Sequence, residues 1–220
     1  SAAHAAKDSG IALALSRRTD GVFDPCVGAV LGQAGALPVS APSGATWRDL
    51  ELAPGRARCR RPLLLDLGGV AKGYAVDQAL AELRRAGCSV ALVNAGGDLA
   101  CYGPEPEPVH VRVAGLGLVP LLALSAGALA SSCFAEGVAA AGDARVSALI
   151  DPFSGTPRAG TETISVTAAS AMSADALTKV VALMGDSATP ILREYAAQAA
   201  ILDGAAGSLS LRFLPKDTNR

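Results

Sequence analysis

Histidine is nearly absent from this sequence. His4 and His110 are the only two, and they lie far apart without ligand spacing, which argues against a histidine-built zinc site. Charge bias is absent as well: 19 Lys and Arg stand against 20 Asp and Glu, a formal net charge of −1, so there is no electrostatic case for nucleic acid. The five cysteines (Cys26, Cys59, Cys88, Cys101, Cys133) form no CxxC pair. An odd and scattered set reads as small buried hydrophobes in a reducing compartment rather than as a disulfide framework. The first residues have neither the basic segment nor the apolar run of a secretory signal. One uncharged run, between Arg112 and Glu136, is long enough to cross a bilayer. Pro120, Ser125, Ser131, Ser132 and several glycines interrupt it, so it reads as buried strands with turns, and no membrane span is expected.

What is present points to one good core, since half of the 220 residues are hydrophobic. The organising stretch runs from Leu63 to Tyr102. Leu63–Leu67 has the length of a buried strand, and Asp66-Leu67-Gly68-Gly69 turns the chain. Val76, Leu80 and Leu83 then recur at helical spacing, with Gly87 placed as a C-terminal cap. Val90–Val93 reads as the next buried strand, and Asn94-Ala95-Gly96-Gly97-Asp98 as a second glycine turn. Bare backbone at a helix N-terminus favours an anion such as a diphosphate. Lys72, in the first helical turn, is unfavourable there unless something negative is near. An ordinary βαβ unit with a tight glycine turn accounts for the same residues.

Around this stretch, Ser1–Arg18 reads as a helix, Asp24-Pro25 as a turn, and Gln33–Pro62 as a surface excursion pinned by Trp47. Gly103–Pro108 reads as a Pro/Glu turn, followed by a hairpin of Val109–Val113 with Leu118–Leu124 and a strand over Ala126–Ser132. Val146–Pro152 and Thr163–Thr167 read as strands, Ala171–Gly185 and Pro190–Ala199 as helices, and Ala199–Leu202 with Leu209–Leu214 as a closing hairpin before a frayed tail. Asp175 and Lys179, at i and i+4, share one helix face, and a surface ion pair is the plain reading.

Four ordered blocks carry a resemblance. Asp66–Asp77 with Asn94–Asp98 resembles the signature D-L-G-G-[IV]-A-K-G-Y-A-[VL]-D followed by N-A-G-G-D of the ApbE family, the FAD:protein FMN transferases. Phe23–Gly28 is similar to that family's F-D-P-T-V-G, and Ala171–Leu177 to its A-M-x-A-D-A-L. The resemblance implies an α+β fold, T-fold-like, with mixed, largely antiparallel sheet layers and helices packed outside. It implies a single compact domain over residues 1–220 without the family's usual N-terminal M-G-T segment.

The activity implied is Mg²⁺-dependent transfer of FMN from FAD to a Thr or Ser hydroxyl of a client flavoprotein, with release of AMP. Asp24, Asp66, Gly68, Gly69, Lys72, Asn94, Gly96, Gly97, Asp98, Ser131 and Ser132 are the implied cofactor contacts. Asp175 and Lys72 are implied catalytic groups, and the Gly69 carbonyl, Asp175 and Thr178 the metal ligands.

Two positions depart from the family pattern. The family histidine, a candidate proton shuttle, is replaced by Ala148, and the metal-ligating threonine by Lys179. Because a protonated lysine cannot ligate Mg²⁺, three arrangements remain open. Thr178 supplies the oxygen, Lys179 swings aside to leave Asp175 and waters, or its ammonium replaces the cation. An FAD pyrophosphatase and a non-catalytic FAD-binding protein are the alternative functions. Family members are commonly exported to the periplasm, whereas the absent signal and the unpaired cysteines favour the cytoplasm.

Overall fold

The structure is a computed structural model that describes residues 2–39, 42, 44–54, 56–134, 138–139, 145–147, 149–204 and 208–215. In chain order its elements begin with α1 (Ala2–Arg18), α2 (Gly28–Gln33), β1 (Leu50–Ala53), β2 (Arg56–Cys59), α3 (Ala71–Arg85) and β3 (Ala91–Ala95). There follow β4 (Asp98–Val113), β5 (Gly117–Cys133), β6 (Val138–Ala139), β7 (Arg145–Val146), β8 (Thr163–Ala168), α4 (Ala171–Met184), α5 (Thr189–Glu194), β9 (Gln198–Asp203) and β10 (Ser210–Leu214). They divide into two compact units: Ser1–Gly69 with Glu136–Ala159, and Val70–Ala135 with Gly160–Arg220. The sequence pattern, read as one domain, carries no mark of this division.

In the first unit Asp24 caps a short 3-10 turn over Pro25–Val27 by accepting from Cys26 N, and Trp47 N donates to its other oxygen. The surface excursion contains a hairpin, β1–β2, which the sequence did not announce. The strands pair through Glu51 and the arginines that face it, with only Leu50 buried, so no apolar alternation marked them. Leu63–Leu67, expected as a strand, has no ladder; it is extended backbone tied by Asp66 N donating to Pro25 O at 2.7 Å. The expected Val146–Pro152 strand is confined to Arg145–Val146 and an isolated bridge of Ile150 with Pro157.

The second unit is a six-stranded, wholly antiparallel sheet in the order β10-β9-β8-β5-β4-β3. Side chains alternate across a sheet, and here the alternation separates two jobs. Leu99 and Leu129, cross-strand partners, join Val109, Val111 and Val113 in one apolar cluster. Their neighbours Ala100 and Ala128 pack with Val76 of α3 and Ala171 of α4. Small residues on that face let two helices lie close against it.

The β4–β5 hairpin is longer than its sequence suggests. Gly103–Pro108 is not a turn: it lies within β4, where the register shifts between Tyr102 and Glu107. A bulge is where a strand accommodates prolines that cannot donate to a ladder, which is why Pro104 and Pro106 misled the reading. β3 is not a buried strand but the sheet edge, with Val90 53% and Leu92 45% exposed. The last helix is only Thr189–Glu194, since Gln198 already begins β9. α1, α3, α4, β8 and the β9–β10 hairpin lie where the sequence places them. No helix among the described residues is long and apolar enough to cross a membrane.

The two helices meet at a crossing dictated by Gly73 and Asp77. A Cβ at Gly73 would stand 2.3 Å from Ala171 O and 2.6 Å from Met172 Cα. One turn further along α3, Asp77 accepts from Ala171 N at 2.8 Å and Met172 N at 3.0 Å, capping α4 from outside its own segment. Ser170 caps Ser173 N in the ordinary local way. Gly73→Ala is expected to lower unfolding free energy by about 2 kcal/mol or more. Asp77→Ala should cost about 1–2 kcal/mol, both read as denaturant midpoints against the unsubstituted chain.

Candidate functional site

Sheet parity, one helix face and one helix start bring the charged residues of the second unit together. Asp98 opens β4 two residues before helix-facing Ala100, and Ser132, next to the end of β5, follows helix-facing Ala128 by four residues, so both point to the helix side. Asp98 is placed there by a two-residue hairpin turn, Gly96-Gly97, whose φ values of 64° and 100° need glycine. Asn94 Oδ1 accepts from Gly97 N at 3.1 Å and braces that turn. Asp175, Thr178 and Lys179 lie at i, i+3 and i+4 on α4, and Lys72 in the first turn of α3.

The contacts form one network. Lys72 Nζ donates to Asp98 Oδ2 at 2.5 Å and lies 3.5 Å from Asp175 Oδ2. Lys179 Nζ donates to Asp175 Oδ1, and to Ser132 Oγ at 3.1 Å. Thr178 Oγ1 donates its one proton to Asp175 O at 2.7 Å, so the 2.7 Å bond between Thr178 and Ser132 is donated by Ser132. Proton order therefore runs from Lys179 through Ser132 and Thr178 to the backbone of Asp175. Both carboxylates are fully buried, Lys179 is 16% exposed, and Lys72 is 49% exposed.

Each shifted group in this cluster has a nameable cause. Burial, then the charge of Asp175, pushes Asp98 up to about 6, against the pull of Lys72. Burial pushes Asp175 the same way, but the charges of Lys179 and Lys72 outweigh it and hold that carboxyl below its ordinary value. Burial would lower Lys72, but the charge of Asp175 and the bond to Asp98 win and raise it. Among the described residues Asp98 Oδ1 and Asp175 Oδ2 have no hydrogen-bond donor. When Asp98 is protonated, it can donate to Asp175, which satisfies the pair.

These donors do not fit a Mg²⁺ ion as the resemblance implies. Thr178 was expected to lend an oxygen, but its side chain is fully buried and its hydroxyl is committed to Asp175 O and Ser132. Asp175 Oδ1 is held by Lys179, and Asp175 Oδ2 faces Lys72. A dication beside Asp175 would stand next to two ammonium groups. Among the described residues no group of three or more His, Cys, Asp or Glu side chains is arranged to hold a metal.

The other expected residues divide by unit. Asp24, Asp66, Gly68 and Gly69 belong to the first unit. Both oxygens of Asp24 are spent on the turn and Trp47, and burial raises its pKa despite those bonds. Asp66 Oδ1 accepts from Gly68 N at 2.9 Å in a local Asx turn. Ser131 faces away from the helices and bonds Ser165 across the β5–β8 ladder at 2.8 Å. Ala148 lies outside the described residues. Sequence reasoning missed Asp77 as a cap and Gly73 as a contact, because their partners stand more than ninety residues away.

Three kinds of similarity accompany this geometry. A model described as the ApbE family matches residues 8–202. The FAD:protein FMN transferase of Rhodobacter capsulatus is 32% identical over 196 residues, 80% of this chain but 38% of that protein. The chain thus spans well under half the length of that relative. The crystal structure of the ApbE protein from Thermotoga maritima superposes with a TM-score of 0.78 at 26% identity, covering 94% of this chain and 74% of that one. The apo flavinyl transferase ApbE of Pseudomonas stutzeri gives 0.75 at 20% identity, over 94% and 71%, and shares the fold.

Asp98 supplies a pH test of the network. With its carboxyl raised from 3.8 to about 6, the stability it contributes is complete below pH 3.8 and is lost as pH rises through 6. Asp98→Asn is expected to remove that arm, on the order of 2 kcal/mol, from unfolding free energies measured between pH 4 and 7. An identical pH profile in the variant would show that the carboxyl is not under this strain.

Proposed function

We infer the function from one premise: the chain belongs to the ApbE family. On that premise it binds FAD and transfers the FMN half to a Thr or Ser hydroxyl of a client flavoprotein, releasing AMP. The observation that carries this reading is the buried Asp98–Asp175 pair holding Lys72 and Lys179 on one face. Each ammonium has three donors, and each retains one beyond its bonds inside the cluster. Two spare cationic donors suit the oxygens of a diphosphate.

In the reaction the acceptor oxygen bonds to the FMN phosphorus as the bond from that phosphorus to the bridging oxygen breaks. The bridging oxygen leaves on AMP, and the hydroxyl proton passes to water. Charge grows on the phosphoryl oxygens and on the leaving phosphate, and fixed cations in a partly dry site stabilise it more in the transition state than in bound FAD. Lys72, half exposed, is the group placed to do this. Asp175 is the anchor that holds both ammonium groups in position.

Asp66, Gly68, Gly69, Gly96 and Gly97 come to flavin binding through the motif they belong to. The polar atoms of Asp24, Asn94 and Ser131 are used locally, in turns and across a ladder. Where the family implies Mg²⁺, the bound ion would add Lewis-acid stabilisation of the diphosphate, but the donor set described above does not call for it. A second reading, hydrolysis of FAD to FMN and AMP, is favoured by Ala148, which offers no titratable group to take a proton from a protein hydroxyl.

Incubation with FAD and an acceptor flavoprotein, reading AMP release and the acceptor's intact mass, decides between them. The expected result is AMP together with an acceptor heavier by one FMN. AMP without a mass gain moves the assignment to hydrolysis, and tight FAD binding without AMP makes the chain a binding protein. Lys72→Met should lower the rate of AMP release by roughly 10²–10³-fold, the loss typical of one transition-state donor.

A further inference from the structure

Lys179 occupies an unusual place for a helix-surface lysine. Its side chain is 16% exposed, and its ammonium is held by a fully buried carboxylate and by a serine hydroxyl whose own proton is already directed to Thr178. A surface i,i+4 pair holds its charge in water and contributes little. This pair is inside, where removing Lys179 would leave Asp175 as an uncompensated buried charge. The oxygens that hold the ammonium, a carboxylate and a hydroxyl, are the hard donors a Mg²⁺ ion would take.

The charge count closes without a metal. Asp98 and Asp175 contribute two negative charges when ionised, and Lys72 and Lys179 two positive ones. A divalent ion taking Asp175 Oδ1 would have to displace Lys179 and leave that ammonium unpaired nearby, and one taking Asp175 Oδ2 would stand against the Lys72 ammonium 3.5 Å away. Replacing Lys179 by a neutral residue reverses the situation: the cluster becomes anionic, with Asp175 Oδ1 and Ser132 Oγ released.

We propose that Lys179 is the resident cation of this site, a tethered ammonium that takes the place of a divalent metal and donates to the flavin diphosphate, so that FAD binds without metal. The proposal rests on the FAD-binding reading above for its ligand, but its metal arm stands by itself. It assigns different work to the two lysines. Lys179 supplies permanent charge from within, and Lys72 meets the ligand from the exposed side.

The test measures Mn²⁺ binding to the unsubstituted chain by electron paramagnetic resonance, then FAD affinity by flavin fluorescence in EDTA and in Mg²⁺. Expected are no saturable Mn²⁺ binding below millimolar concentration and an FAD affinity that agrees within about twofold in the two buffers. Lys179→Thr should gain a saturable Mn²⁺ site and lose FAD affinity in EDTA by about tenfold or more, the worth of a charged hydrogen bond, with recovery on adding Mg²⁺. Lys179→Arg should keep EDTA-resistant binding.

Tight Mn²⁺ binding to the unsubstituted chain, or loss of its FAD affinity in EDTA, overturns the proposal. So does a Lys179→Thr variant that folds normally by circular dichroism and gains neither metal binding nor metal dependence. If that variant does not fold, the Mn²⁺ measurement on the unsubstituted chain still decides. If FAD binds under no condition, the functional reading fails, while absence of a Mn²⁺ site that then appears in Lys179→Thr continues to support the resident cation.

Discussion

Two buried carboxylates set the terms for the second unit. Moving an ionised carboxyl out of water costs several kcal/mol even after the protein relaxes, and here Asp98 and Asp175 are buried side by side. Their mutual repulsion is visible in Asp98, driven toward neutrality by burial and by its neighbour's charge. The arrangement holds only because each acid meets an ammonium: Lys72 for Asp98, and Lys179 with Lys72 for Asp175. The leucine and valine face of the same sheet makes an apolar core to which these charges do not belong. Buried charge with perturbed titration outside that core points to binding or catalysis.

The scaffold keeps the four groups in register by means that have nothing to do with charge. Lys72 and Gly73 are consecutive on α3, and Gly73 stands against the start of α4, so the crossing that needs a glycine also fixes where Lys72 begins. Asp77 ties the same two helices by capping Ala171 and Met172, three to four residues before Asp175. The Lys72–Asp77 segment thus does two separable jobs. On the proposed function Lys72 meets the ligand, and Gly73 with Asp77 sets the helix pair that presents it. A substitution at Asp77 can change activity without touching any flavin.

Much of this was legible in the residues, and the failures have physical reasons. Helical period gave α3 and α4, and β-branched alternation gave β8, because each element buries one face in a regular way. Gly103–Pro108 read as a turn because proline normally ends a ladder, and no local pattern reveals that a bulge absorbs it. β3 read as buried because Val90–Val93 is apolar, yet its place at the sheet edge is a matter of strand order, which sequence does not spell out. In the site, the i,i+4 spacing of Asp175 and Lys179 was plain, but their burial was not. It depends on β5 bringing Ser132 against α4, a contact across 47 residues.

A tethered ammonium and a metal ion solve the same problem differently, and the difference explains why two lysines are needed. A divalent ion brings two charges and orients phosphoryl oxygens through its coordination geometry. An ammonium brings one charge and three rotatable donors, with no preference for a bidentate partner. One lysine would therefore leave a diphosphate loosely aimed. Two, anchored to neighbouring carboxylates 3.5 Å or less from their nitrogens, turn two flexible side chains into fixed donors. The cost is that the positive charge cannot leave and return with substrate as a metal can. On the proposed transfer, discrimination between FAD and the released AMP then rests on how many phosphate oxygens meet both ammonium groups at once: AMP carries one phosphate where FAD carries two joined together, so AMP alone does not span the pair.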